Sequence, residues 1–216
     1  KNVGTNKVVT LSSTLSGADS ANYSVVNQAD TNATITAKAL TVSGITADNK
    51  VYDGNDVAVI QTGTVTFVGV LTGETVTVDA GAVTATFVDK NVGNNKSLNL
   101  SGIALSGNDA NNYTVAGVGG VSANITAKAL TVSGITAAAQ EYDANTSVIL
   151  GVTASVTALA GDTVTVSGTV GTFDNKNVGT NKVVTLSSTL SGADSANYSV
   201  VNQADTNATI TAKALT

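Results

Sequence analysis

Asp109-Ala110-Asn111-Asn112-Tyr113-Thr114-Val115 decides how this chain is read, because the chain writes its Asp-x-x-Asn-Tyr-x-Val pattern three times. The other copies are Asp19-Ser20-Ala21-Asn22-Tyr23-Ser24-Val25 and Asp194-Ser195-Ala196-Asn197-Tyr198-Ser199-Val200. Outward from each copy the flanks repeat as well. Lys1-Asn2-Val3-Gly4 returns as Lys90-Asn91-Val92-Gly93 and as Lys176-Asn177-Val178-Gly179. Ile35-Thr36-Ala37-Lys38-Ala39-Leu40-Thr41 returns from Ile125 and again from Ile210, a repeat of about 85–90 residues, the size of one small domain. Residues 1–41 and 176–216 are identical letter for letter, whereas adjacent repeats have diverged. That pattern indicates duplication of a two-repeat block, each repeat being one structural unit stacked on the next.

The pattern Asp-x-x-x-Tyr-x-apolar resembles the tyrosine corner of immunoglobulin-like β-sandwiches, where the Tyr opens strand F and its hydroxyl bonds to upstream backbone. Val25, Val115 and Val200 stand where antibody domains place Cys, as in a disulfide-free relative. Tyr23 as the start of strand F makes residues 33–38 strand G. The predicted organisation is then residues 1–38 as the C-terminal strands of a truncated module, 39–128 and 129–213 as complete modules, and 214–216 as the first residues of the next. Period-two stretches agree: Thr64-Val65-Thr66-Phe67, Thr75-Val76-Thr77-Val78 and Thr163-Val164-Thr165-Val166 alternate as half-buried strands do. Turn signals fall at Asp53-Gly54-Asn55-Asp56, Thr72-Gly73-Glu74, Asn94-Asn95 and Ser106-Gly107-Asn108-Asp109. The expected fold is all-β, a tandem array of immunoglobulin-like β-sandwich modules. The alternative, a continuous β-solenoid, fits poorly because the repeat is too long for one coil. Ile-Thr-Ala-Lys-Ala-Leu-Thr-Val joins modules without Gly or Pro, so the linker is short and semi-rigid.

Composition narrows the chemistry. The 216 residues include no Cys, His, Trp, Met or Pro, and all ten basic residues are Lys. Disulfides and thiolate metal sites are excluded, and the commonest general base is missing. A formal net charge of −5 argues against nucleic acid, which is held by clustered Lys and Arg. No 18-residue apolar run spans a membrane. Lys1 is not a natural start, so the segment is expected to belong to a larger precursor whose targeting signal lies elsewhere.

Lys50-Val51-Tyr52-Asp53-Gly54, Lys90-Asn91-Val92-Gly93, Leu105-Ser106-Gly107-Asn108-Asp109-Ala110-Asn111-Asn112-Tyr113 and Ile125-Thr126-Ala127-Lys128-Ala129-Leu130-Thr131 occur in that order. As a set they resemble the YDG-type (MBG-related) repeats of very large secreted bacterial surface proteins, including filamentous-haemagglutinin-like adhesins. Two departures stand out. The second repeat reads Tyr142-Asp143-Ala144, and Ala37, Ala127 and Ala212 replace a Pro frequent in the family. The resemblance implies an extracellular, secreted or cell-surface stalk, fibre or adhesin region of a bacterial protein.

Candidate sites are few. Asp53 and Asp56, with Asn55, group oxygens that calcium accepts, but the second repeat loses the second acid at Thr146. Asp19, Asp109 and Asp194 are further calcium candidates, with an Asx-turn before the Tyr as the simpler reading. Tyr23, Tyr113, Tyr198, Tyr52 and Tyr142 are read as structural. Lys90 and Lys96 lie near strands, as an isopeptide bond would need, while Glu74 and Asp162 occupy equivalent turns expected to be exposed. Asn32, Asn112 and Asn124 open Asn-x-Thr sequons. No residue is assigned to catalysis and no cofactor is required. The leading expectation is a structural repeat that spaces an adhesive tip or packs into a matrix filament. Its expected partners are neighbouring modules, identical chains in a fibre, and a host or matrix glycan or protein. The alternatives are weak glycan- or calcium-binding modules acting by avidity, and a filament subunit completed by strand exchange between chains.

Overall fold

A computed structural model describes residues 1–215. The fold is all-β; no α-helix occurs among the described residues, and single turns of 3-10 helix interrupt the strands. The strands are built from Val, Thr and Ile, which suit a pleated surface. In Gly179–Ser191, Val184, Leu186 and Ser188 face inward and alternate with exposed Thr185 and Ser187.

The first complete repeat is opened by Lys38–Ser43. This strand pairs parallel with Tyr113–Val118 on one side and antiparallel with Thr66–Val68 on the other. In the second repeat Lys128–Thr131 pairs parallel with Tyr198–Val201 in the same way. A separate sheet has the order Lys50–Val51, Ser122–Thr126, Gly93–Ser101, Thr84–Phe87, Val57–Ala58. Its counterpart has the order Gln140–Glu141, Thr206–Thr211, Gly179–Ser191, Thr165–Phe173. The strands begun by Tyr113 and Tyr198 and the strands after them therefore lie in different sheets. In each repeat the chain between these two strands is a crossover. At that crossover Gly119 donates its N–H to Val42 O at 3.0 Å, and Val121 enters the core.

A second difference concerns Asn94-Asn95, read above as a turn. It is a β-bulge inside Gly93–Ser101, and Asn95 takes φ 50° there. The same bulge follows Gly4 and Gly179, where Asn6 and Asn181 each take φ 52°. Asn tolerates this left-handed backbone, and in the two later bulges the following Lys meets a local acid or amide. Lys96 Nζ lies 2.6 Å from Asp89, and Lys182 Nζ lies 2.8 Å from Asp174.

The contacts divide the chain into two compact units. One comprises Lys1–Ala47, Val59–Ala85 and Asn99–Val121; the other comprises Asp48–Ala58, Thr86–Leu98 and the chain from Ser122 onward. The first is built on Val42, Ile45 and Val121, with Phe67, Ile103 and Val115 against them. The second buries Val132, Ile135, Phe173, Val184, Leu186 and Ile210 in one cluster. Tyr52, Phe87 and Ile125 are also buried in that unit. Each such aliphatic or aromatic side chain contributes about 1.5–3 kcal/mol.

Candidate functional site

The densest polar cluster in the second unit is assembled from two successive repeats. Leu159-Ala160-Gly161-Asp162 forms a tight turn in which Asp162 N–H donates to Leu159 O at 3.1 Å. Gly161 takes φ 93°, which permits that turn. The turn presents a carboxylate with three donors. Asp162 Oδ2 accepts the hydroxyls of Tyr198 at 2.6 Å and Tyr52 at 2.9 Å, and Oδ1 pairs with Lys90 Nζ at 3.1 Å. Tyr198 Oη also accepts Leu159 N–H at 3.1 Å. The two tyrosine rings meet edge to face with centroids 5.4 Å apart, and Lys90 Nζ lies 5.8 Å from the Tyr52 ring centre. Beside this cluster Asn197 Oδ1 accepts Val92 N–H at 2.9 Å, and its amide donates to Asn91 Oδ1 at 3.1 Å. Tyr52, Lys90, Asn91 and Val92 belong to the repeat at 39–128; Leu159, Asp162, Asn197 and Tyr198 belong to the next.

The first unit holds the same arrangement between residues 1–3 and the repeat that follows. Lys1 Nζ lies 2.7 Å from Glu74 Oε1, and Tyr113 Oη donates to Glu74 Oε2 at 2.5 Å. Leu71 N–H donates to Tyr113 Oη at 3.1 Å, and Val3 N–H donates to Asn112 Oδ1 at 3.0 Å. This junction differs in one respect. It holds a cavity of about 180 Å³ lined in part by Thr36, Leu71, Glu74 and Tyr113. Their counterparts Thr126, Asp162 and Tyr198 in the second unit are contacted by Tyr52.

The Tyr198 hydroxyl, helped by Tyr52 and Lys90 against the opposing effect of burial, holds the Asp162 carboxyl below its ordinary value. The Tyr52 hydroxyl and then Asp162 push the Lys90 ammonium upward. Burial foremost, with Asp162, pushes the Tyr198 phenol up. In the first unit Lys1 and then Tyr113 lower Glu74. Each carboxylate therefore stays charged and each hydroxyl protonated across the neutral range, which suits a permanent electrostatic contact.

Glu74 and Asp162 are not the exposed turn residues expected from the sequence; their side chains are 9% and 3% exposed. The error has a physical cause. A Gly-acid turn signals solvent locally, and the partners that cover it lie in a different repeat. Lys90 stands against Asp162 as an ion pair, and Lys96 against Asp89. A retained acid at equivalent positions, set against a repeated Lys-Asn-Val, was the signal available in the sequence.

The calcium candidates are placed as follows. Lys50 Nζ lies 2.8 Å from Asp53 Oδ1 and donates to Asn55 O, Asn55 Oδ1 and Val57 O at 2.9, 3.0 and 3.0 Å. Oxygens of Asp53, Asn55 and Val57 thus surround the chain's own ammonium group. The backbone carbonyl of Asp56 accepts Phe87 N–H at 2.7 Å. In the second repeat Gln140 replaces Lys50 and donates to Ser147 O at 3.0 Å. Gly54 and Ala144 both take positive φ, 84° and 70°, so this position is governed by backbone conformation. Asp109 and Asp194 do not close local Asx-turns. Their Oδ2 atoms accept the distant N–H groups of Thr75 and Thr163 at 2.9 and 2.8 Å, tying each 3-10 turn to the acid-bearing turn. Asp19 precedes the equivalent turn Ser20–Asn22 without a side-chain cap. Tyr113 and Tyr198 are buried, Tyr142 is half-buried and Tyr23 is exposed. The hydroxyls of Tyr113 and Tyr198 do meet upstream backbone, at Leu71 and Leu159.

A YDG domain is recognised twice, over residues 36–120 and 126–209. No curated protein and no solved structure matches the chain.

Proposed function

The chain belongs to the YDG domain family, of which it carries two tandem copies, and on that premise we propose that it is a structural repeat region. It is a stalk, spacer or fibre segment of a large extracellular bacterial adhesin or matrix filament protein, without catalytic activity of its own. One observation carries the reading. The buried Asp162 carboxylate, met by two tyrosine hydroxyls and a lysine, joins one repeat to the next, and a lysine and a tyrosine make a like join at Glu74. A carboxylate covered by two hydroxyls and an ammonium offers no position to a substrate. It ties Tyr52 and Lys90 of one repeat to Asp162 and Tyr198 of the next within one compact unit, which is what a spacer needs. Calcium-dependent binding is less favoured, because the candidate turn is organised by Lys50.

Labelling of intact cells that make the protein, with antibodies raised against residues 39–213, tests the location. Labelling without permeabilisation is expected; labelling only after permeabilisation overturns the extracellular reading. Small-angle scattering tests the join. Asp162→Ala is expected to broaden the distribution of maximum dimensions, and an unchanged profile removes the junction from the account.

A further inference from the structure

Tyr52 and Tyr198, from successive repeats, aim their hydroxyls at one atom. Asp162 Oδ2 accepts them at 2.9 and 2.6 Å. Their rings meet edge to face, with centroids 5.4 Å apart and planes at 76°. Both side chains are buried. Because the hydroxyls converge, the ring carbons ortho to them are brought to the same place. Those carbons carry much of the unpaired electron density of an oxidised phenol. The Asp162 carboxyl is held below its ordinary value, foremost by the Tyr198 hydroxyl, so it is ionised across the neutral range. It lies within hydrogen-bond reach of both phenolic protons, the position a general base needs. Loss of an electron from either ring is eased when its proton passes to such a base.

We propose that Tyr52 and Tyr198 form an oxidative cross-linking site, at which a peroxide-driven one-electron oxidant couples them into dityrosine and ties one repeat covalently to the next. Each phenol gives up one electron and, by way of Asp162, one proton. The two ring radicals pair, forming a carbon–carbon bond between ortho carbons. The hydrogens on those carbons move to the phenol oxygens as the rings regain aromaticity. Hydrogen peroxide takes the two electrons and two protons, and its O–O bond breaks to give two molecules of water. The product carries both hydroxyls beside the new bond, where Asp162 still accepts them. Holding the rings together turns a chance encounter into an intramolecular step. The inference rests on the junction in the stalk reading, but not on the cellular location.

Treatment of the dilute 216-residue chain with hydrogen peroxide and a haem peroxidase tests it. Trypsin then separates the tyrosines, with Tyr52 in residues 51–90, Tyr113 in 97–128, Tyr142 in 129–176 and Tyr198 in 183–213. Peptides 51–90 and 183–213 are expected as one fluorescent species, lighter than their sum by two hydrogen atoms. Its yield is expected to exceed about tenfold that of any link through Tyr113. Tyr113 has Glu74 at its hydroxyl but, among the described residues, no tyrosine ring against its own. Tyr142→Phe is expected to leave the yield unchanged, and Asp162→Asn, which keeps an acceptor but loses the base, to lower it about tenfold. Absence of the linked species in the native chain overturns the proposal. So does a yield no greater than that of links through Tyr113 or Tyr142, or a full yield from Asp162→Asn. Each result is independent of cell labelling and of the Asp162→Ala scattering profile.

Discussion

Residues 1–41 and 176–216 share one sequence and have different surroundings. Some features are the same in both. The 3-10 turns Ser20–Asn22 and Ser195–Asn197 follow Asp19 and Asp194, each at φ −101°. Asn6 and Asn181 both make the bulge at φ 52°. Other features diverge. Gly4–Val9 spans six residues where Gly179–Ser191 spans thirteen. Tyr23 is 73% exposed against 7% for Tyr198, and Ile35 is 39% exposed against 1% for Ile210. Tyr198–Val201 is held by its parallel neighbour Lys128–Thr131. Residues 23–30 adopt no strand, and no copy of that neighbour occurs among residues 1–22. Turn and bulge conformations are thus local properties, while strand length and burial are supplied by partners from elsewhere in the chain.

The comparison is broken hardest in the core. Ile210→Ala is expected to cost about 2–5 kcal/mol in a denaturant titration, and Ile35→Ala less than about 1 kcal/mol, because only the first leaves a cavity. Equal costs would mean that residues 1–41 are packed as tightly as their copy. At the junction, Tyr198→Phe is expected to cost about 1.5–3 kcal/mol, since it removes a hydroxyl bonded to a charged carboxylate. Tyr23→Phe at the exposed copy is expected to stay within about 0.5 kcal/mol.

Acid sharpens the comparison further. The folded Asp162 carboxyl lies below its ordinary 3.8, chiefly through the Tyr198 hydroxyl, so the unfolded chain takes up the proton first. The contribution of Asp162 to stability is complete above that pH and is lost as pH falls below it through the lower folded value. Circular dichroism in an acid titration should show this loss, and Asp162→Asn should remove that part of the pH dependence. The smallest effect concerns the local features. Asn181→Ala and Asn6→Ala are each expected to weaken their bulge by about 1 kcal/mol, seen as faster amide exchange around it, because the left-handed backbone is the same in both copies. A difference between the two would show that tertiary packing, not residue type, sets the bulge.

Much of the fold was legible in the sequence, in specific places. Alternation in Thr165–Phe173 and in Gly179–Ser191 marked real strands. Gly54 marked a position needing positive φ, and Ala144 keeps that conformation despite its Cβ. The site was legible only in part. Tyr113 and Tyr198 were recognised as structural from their motif, and their hydroxyls do meet upstream backbone. Glu74 and Asp162 were missed because a Gly-acid turn reads as solvent-facing when taken alone. Lys50 was missed as the cation of its own turn because the Asp and Asn residues around it suggested an external ion.

By itself, the sequence determined what depends on a residue and its immediate neighbours: the all-β pattern, the repeat length, the 3-10 turns, the bulges and the family. These follow from steric preferences of Val, Thr, Asn and Gly acting over a few bonds. Only the tertiary structure decided which strands pair in parallel, where the chain crosses between sheets, and which of the three related tyrosine motifs are buried. Those outcomes depend on groups far apart in the chain, and burying a carboxylate such as Asp162 is favourable only when Tyr52, Lys90 and Tyr198 converge on it together.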